Sequence, residues 1–199
     1  QASATGHATN DEMVVHLNAD QSGTEVGPLN DKVLEALRKA LDATRGVNGV
    51  KARVGSVNTM PIYDKEGQRT HWRVVGTVIL EGTDLKATGD LAGRLAQDLH
   101  LASVQYRLTP ARRAEAENKL IDEAAAAFRE RADRTTRALG FQAFELKSVN
   151  VQTSTSGPRP PMPMMMKSAM ARDVAMEAVP AEGGDATIDV TMIGTVRLR

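Results

Sequence analysis

Cysteine is absent from the 199 residues, which excludes disulfides, thiolate metal sites and a cysteine nucleophile while leaving the redox compartment open. Aromatic residues make up only 3% of the chain, and 25 Lys plus Arg are balanced by 25 Asp plus Glu. Such a chain has neither the net field nor the stacking surface for nucleic acid or an anionic membrane, so no nucleic-acid partner is expected. No apolar run approaches the roughly 18 residues of a membrane span, so no transmembrane segment is expected. The chain starts Gln1-Ala2-Ser3, with neither an initiating Met nor an apolar leader, which suits a sequence from which a signal peptide or tag has been removed. Motifs of catalysis are missing too: there is no G-x-S-x-G elbow, no G-x-x-x-x-G-K-[ST] phosphate loop, no G-x-G-x-x-G turn and no H-E-x-x-H pair. We therefore expect no enzyme, no catalytic residue, no cofactor-binding residue and no small-molecule substrate.

What is present is enough apolar sequence, 41%, to build a core. Residues 1–11 are small and polar and read as a flexible tail. From Met13, alternation places Met13, Val15, Leu17 and Ala19 on one face of a strand. Pro28 suits a first helical turn, and Leu29, Val33, Leu37, Ala40 and Leu41 recur at helical spacing until Gly46 and Gly49. Strands follow over about 50–63 and 70–80, joined by a turn at Asp64-Lys65-Glu66-Gly67, with a bulge expected at Gly55, where Val57 falls out of phase. In the second of these strands Trp72, Val74, Val78 and Leu80 share a face. Thr83-Asp84 caps a second helix carrying Leu91, Ala92, Leu95 and Leu99.

A short strand with Val104, Tyr106 and Leu108 leads into the longest helix, bracketed by Thr109, Pro110 and Gly140, with an expected seam of Ile121, Ala125, Phe128, Ala132 and Leu139. At ~1.5 Å per residue it is about 45 Å long, and its mixed charges read as a solvated face. A strand over 144–153 and a final alternating strand through Ile188, Val190, Met192, Val196 and Leu198 complete the pattern. The expected fold is α+β, a mixed or antiparallel sheet with packed helices in the order β-α-β-β-α-β-α-β-loop-β, forming one domain over 12–199.

Six of the nine methionines fall between Met162 and Met176, within a Pro/Met-rich excursion over 157–184 that separates the last two strands. Thioethers are soft ligands suited to Cu(I), and they are also adaptable apolar groups for contacts between proteins. Met162, Met164, Met165, Met166 and Met170 are the candidate Cu(I) ligands, with no His or Cys in the segment to strengthen such a site. The alternative is a flexible apolar loop that packs on a neighbouring subunit, lines a channel or stays mobile, with sacrificial oxidation of its methionines as a further role. His7, His16, His71 and His100 are scattered along the chain and read as structural. Tyr63, Asp64 and His71 form the one conceivable reactive group, although a strand-end tyrosine and a turn aspartate are common for structural reasons.

The order of these elements resembles the SIMPL-domain family of bacterial exported proteins. The resemblance rests on the helix Asn30-Asp31-Lys32-Val33-Leu34-Glu35-Ala36-Leu37, on Met60-Pro61-Ile62-Tyr63 and on the helix from Ala124 to Leu139 leading to Gly140. The Pro/Met-rich loop and the last strand from Gly183 to Thr191 complete it. It implies an α+β fold, export to the periplasm or envelope, homo-oligomeric assembly and a link to oxidative-stress tolerance, without an enzymatic activity or a catalytic residue set.

Overall fold

In the computed structural model, which describes residues 1–156 and 183–199, the elements run β1 (Ala2–Thr9), β2 (Glu12–Gly23), α1 (Val26–Thr44), β3 (Val50–Tyr63), β4 (Arg69–Gly82), α2 (Leu85–Leu95), β5 (His100–Arg107), α3 (Pro110–Ala138), β6 (Phe144–Ser156) and β7 (Asp185–Leu198). All strand pairings are antiparallel. The fold is α+β in the expected order, with one strand added at the start. Where the sequence suggests one domain over 12–199, there are two compact units, because each of two sheets closes over its own separate core.

Among the described residues the first unit takes in 11–107 and Gly183 and carries a four-stranded sheet in the order β3-β4-β2-β5. Met13, Val15, Leu17 and Ala19 of β2 and Val74, Val78 and Leu80 of β4 form one buried face. Against it pack Leu29, Val33, Leu37 and Ala40 of α1 and Leu91, Ala92 and Leu95 of α2. Burying each large aliphatic side chain stabilises this unit by roughly 1.5–3 kcal/mol before chain entropy is subtracted. The helix α1 begins at Val26, two residues before Pro28, without a side-chain cap. For α2, the Asp84 carboxylate accepts from the Ala87 N–H at 2.9 Å. The β3–β4 register slips between Val54 and Val57, across Gly55, as the broken alternation predicts.

Gly76 lies in the central strand β4 beneath α1. A Cβ at that position would lie 2.5 Å from Val33 Cγ1 and 3.0 Å from Leu37 Cδ1, so glycine is what lets α1 settle onto the sheet.

The second unit joins residues 1–10, 108–156 and 184–199 in a three-stranded sheet ordered β1-β7-β6. Here the sequence reading needs correction, since residues 1–11 are not a tail. Ala2 to Thr9 pairs along β7 from Met192 to Asp185. Its inward row is Ala2, Ala4, Gly6 and Ala8, while Thr5 and Thr9 donate to Asp189 and Asp185 at 2.7 and 2.8 Å. Alternation is present, but its apolar phase is too small to register as hydrophobic. The space explains the size, because a Cβ on Gly6 would meet Leu120 Cδ2 at 3.0 Å.

Helix α3 buries Leu120, Ala124, Phe128 and Thr136, with Ile121 and Ala125 on the shoulder of that row. The buried stripe is therefore turned by about one residue from the expected seam, and Leu139, one residue beyond the helix, is 59% exposed. Alanines at 124–127 make adjacent stripes equally apolar, so only the sheet selects between them. Its outer charges pair within the helix, Arg112 with Glu115 at 3.0 Å and Arg134 with Glu130 at 2.7 Å. Such pairs on the solvated face stabilise by a few tenths of a kcal/mol each, about 0.2–0.5. No helix among the described residues is long and apolar enough to cross a membrane.

Candidate functional site

Met162, Met164, Met165, Met166 and Met170 lie outside the described residues. The reactive trio dissolves into ordinary turn chemistry. Asp64 Oδ1 accepts from the backbone N–H groups of Glu66 and Gln68 at 2.9 and 2.8 Å, so its carboxylate closes the β3–β4 turn, assisted by Gly67 at φ 80°. Tyr63 is 59% exposed, and His71 projects from β4 into solvent opposite Ile62. The histidines do not converge. His7 meets Thr187 Oγ1 at 3.2 Å on one sheet, while His16, His71 and His100 occupy three different strands of the other. Among the described residues no group of three or more His, Asp or Glu is arranged to hold a metal ion.

The four-stranded sheet carries an ionic belt on the face opposite its helices. Arg107 of β5 donates through Nε to Glu12 of β2 at 2.6 Å and reaches Glu81 of β4 at 3.5 Å. Glu81 also takes Arg53 of β3 at 3.3 Å, so one chain of charge crosses all four strands. Further along, Arg73 grips both oxygens of Asp20, and Thr77 donates to Asn18 at 2.9 Å. The Arg73 hydrogen bond, followed by its charge, holds the Asp20 carboxyl below its usual range. Arg107 is held above its usual value chiefly by its bond to Glu12. Each of these carboxylates has a guanidinium partner, so the belt braces the strands. The belt was hidden in the sequence because Glu12, Arg53, Glu81 and Arg107 become neighbours only when the register of four strands is known.

Two clefts remain. One, about 500 Å³, runs between α1 and α2 over Ala36, Ala40 and Leu95, with Lys32, Lys39 and Asp98 among the charges lining it. The other, about 530 Å³, lies beside α3, lined by Phe128, Arg129, Asp133, Phe144, Leu146 and Val149 among others. It exists because α3 packs over β1 and β7 and only grazes β6. Leu146, Val149 and Val151 are consequently 50%, 46% and 40% exposed. Among the described residues neither lining contains a serine, threonine or histidine, and the first carries Glu35 and Lys39, paired with each other at 2.8 Å.

The family profile described as "SIMPL: Protein of unknown function (DUF541)" matches residues 1–196. The chain belongs to the SIMPL family. The match takes in β1 as well as the elements that carry the resemblance in the sequence. No curated protein shows significant similarity to this SIMPL chain. Among solved structures, it aligns with a crystal structure of an amidase of the hydantoinase/carbamoylase family from Burkholderia vietnamiensis at 16% identity and a TM-score of 0.26, covering 54% of this chain and 29% of that one. The corresponding amidase from Burkholderia multivorans gives 16% identity, a TM-score of 0.25 and coverage of 53% and 28%. A hydantoinase/carbamoylase family amidase from Burkholderia ambifaria gives 14%, 0.22, 49% and 28%. The SIMPL chain thus spans less than a third of the length of these enzymes, and likeness at that level carries no argument about its chemistry.

Proposed function

We propose that this SIMPL chain is a non-enzymatic, exported protein of the bacterial periplasm or envelope that acts through homo-oligomeric assembly and contributes to tolerance of oxidative stress. The observation that carries assembly is where apolar side chains remain in solvent. They gather on the outermost strands: Val54, Val57, Met60 and Ile62 on β3, and Leu146, Val149 and Val151 on β6. Apolar surface grouped along sheet margins is a property of proteins that associate, whereas single exposed side chains are scattered on any monomer. The non-enzymatic reading draws support from the turn role of Asp64 and from the pairing of the carboxylates of the ionic belt with arginines. Size-exclusion chromatography with light scattering at tens of micromolar tests the reading. A mass several times 21.4 kDa is expected, and a strict monomer refutes assembly.

A further inference from the structure

The edges of the two sheets are not equally defended. Strand β3 carries Lys51, Arg53, a register slip between Val54 and Val57, and Pro61, all devices that keep an edge from accepting another strand. Strand β6 is different. After a slip between Leu146 and Ser148, its run Ser148-Val149-Asn150-Val151-Gln152-Thr153-Ser154-Thr155-Ser156 has no charge, no proline and no further irregularity. Among the described residues it pairs with β7 alone, so one row of its backbone N–H and C=O groups is open. Among the described residues the same segment also keeps apolar side chains exposed, Val149 and Val151. Val149, Val151, Thr153 and Thr155 stand opposite Gly194, Met192, Val190 and Ile188, the row of β7 that α3 covers, while α3 only grazes β6, where Arg113 donates to Thr155 Oγ1 at 3.3 Å. Strand β1, the other edge of this sheet, also lacks charge, but its inward row is Ala and Gly beneath α3 and leaves no large apolar side chain in solvent.

Resting on the assembly reading above, we propose that residues 148–156 of β6 are the seam of that assembly and that the occupant of the open edge is β6 of a second copy, antiparallel about a two-fold axis normal to the sheet. Self-pairing suits this segment because it sets an uncharged strand against itself, so neither copy buries an unmatched charge. It makes a six-stranded sheet β1-β7-β6-β6-β7-β1 with both α3 helices on one face. The valine rows of the two copies then become cross-strand neighbours and shield each other from water. Geometry restricts the register further. Paired residues must lie on the same face, and the two-fold preserves faces, so the axis passes through a single residue that faces its own copy.

The absence of cysteine from the chain makes this directly testable, since one introduced cysteine gives one possible disulfide. In the full-length protein, single substitutions Asn150→Cys, Val151→Cys, Gln152→Cys and Thr153→Cys are oxidised with diamide at micromolar concentration. Directly opposed Cα atoms about 4.5–5.5 Å apart fall within disulfide reach, whereas neighbours displaced along the strand do not. The expected result is one position that cross-links into a covalent dimer well ahead of the other three, together with loss of the dimer contact in Val151→Lys by light scattering. Asn150→Lys, on the other face of the strand, replaces Val151→Lys if circular dichroism shows that the latter has unfolded. If wild type assembles and the lysine variants keep the same mass with no favoured cysteine position, assembly stands but the β6 seam is wrong. A wild-type monomer overturns both, and protected β6 amides in such a monomer would show that the edge is filled from its own chain.

Discussion

Replacing Gly76 with alanine tests how closely α1 is seated on the four-stranded sheet. The added Cβ would lie 2.5 Å from Val33 Cγ1, about 1–1.5 Å inside the ~3.5–4.0 Å at which carbon atoms rest. Val33 is fully buried and β-branched in a helix, where one χ1 rotamer dominates, so it cannot turn aside without strain. Leu37, at 3.0 Å, can yield a few tenths of an ångström, but the main relief must come from lifting α1. Overpacking of this kind costs about 2 kcal/mol, equivalent to roughly 8–16 °C in Tm for a unit of this size melting by itself. The cause is isolated by Val33→Ala, which removes the colliding methyl and by itself costs about 2 kcal/mol through the cavity it leaves. In the double variant the methyl added at position 76 occupies part of that cavity. The two changes together should then cost about 2 kcal/mol rather than the ~4 of simple addition, a coupling well above the ~0.5 seen for independent sites. Urea titrations of the four proteins supply the cycle. A Gly76→Ala variant within about 0.5 kcal/mol of wild type, or strict additivity, would refute the close-approach argument.

Phe128→Ala should destabilise the three-stranded unit by about 3–5 kcal/mol, because Phe128 is buried in its core beside Gly194; calorimetry resolving the two units would place the loss there. For Asp20, a depressed carboxyl pKa means that its stabilising contribution is complete above the unfolded value and disappears as pH falls through the lower folded one. Asp20→Asn should therefore be less stable than wild type at pH 7, with the difference starting to shrink near about pH 3.9 and vanishing only below the lower folded value, checked by denaturation across that range. Asp64→Ala removes an acceptor used by two turn N–H groups and should cost about 1 kcal/mol without changing oligomeric mass. Competition with a Cu(I) chelator tests the soft-ligand reading of the methionine segment: affinity that disappears when Met162, Met164, Met165, Met166 and Met170 are all replaced by serine supports it, and unchanged affinity rules it out.

Large side chains carried most of what could be read from the sequence. Met13, Val15 and Leu17, Leu29, Val33 and Leu37, and Ile188, Val190 and Met192 announce their elements because apolar periodicity and burial coincide. The misreadings share one physical origin, small residues. Strand β1 buries Ala and Gly against α3, and the alanines of α3 blur which stripe faces inward, so in both places the contact partner decides what composition leaves open. The features with functional bearing were harder still. The ionic belt depends on register across four strands, and the exposure of Val149 and Val151 on β6 depends on where α3 comes to rest. Neither is a property of any local window.

The order in which the units can form follows from one backbone hydrogen bond at the base of the first. Asp11 N–H donates to Arg107 C=O at 3.2 Å, so the two ends of the segment 11–107 emerge side by side once it is folded. In synthesis order residues 11–107 come as one continuous stretch, whereas β1 must wait for β7, its only strand partner among the described residues. An unfolded intervening segment would make the β1 pairing entropically expensive, but a folded one shortens the gap to a single residue contact. The early unit thus acts as a clasp that brings the last residue of the N-terminal strand next to the start of α3. The three-stranded sheet and its β6 edge can close only after β7 has been made.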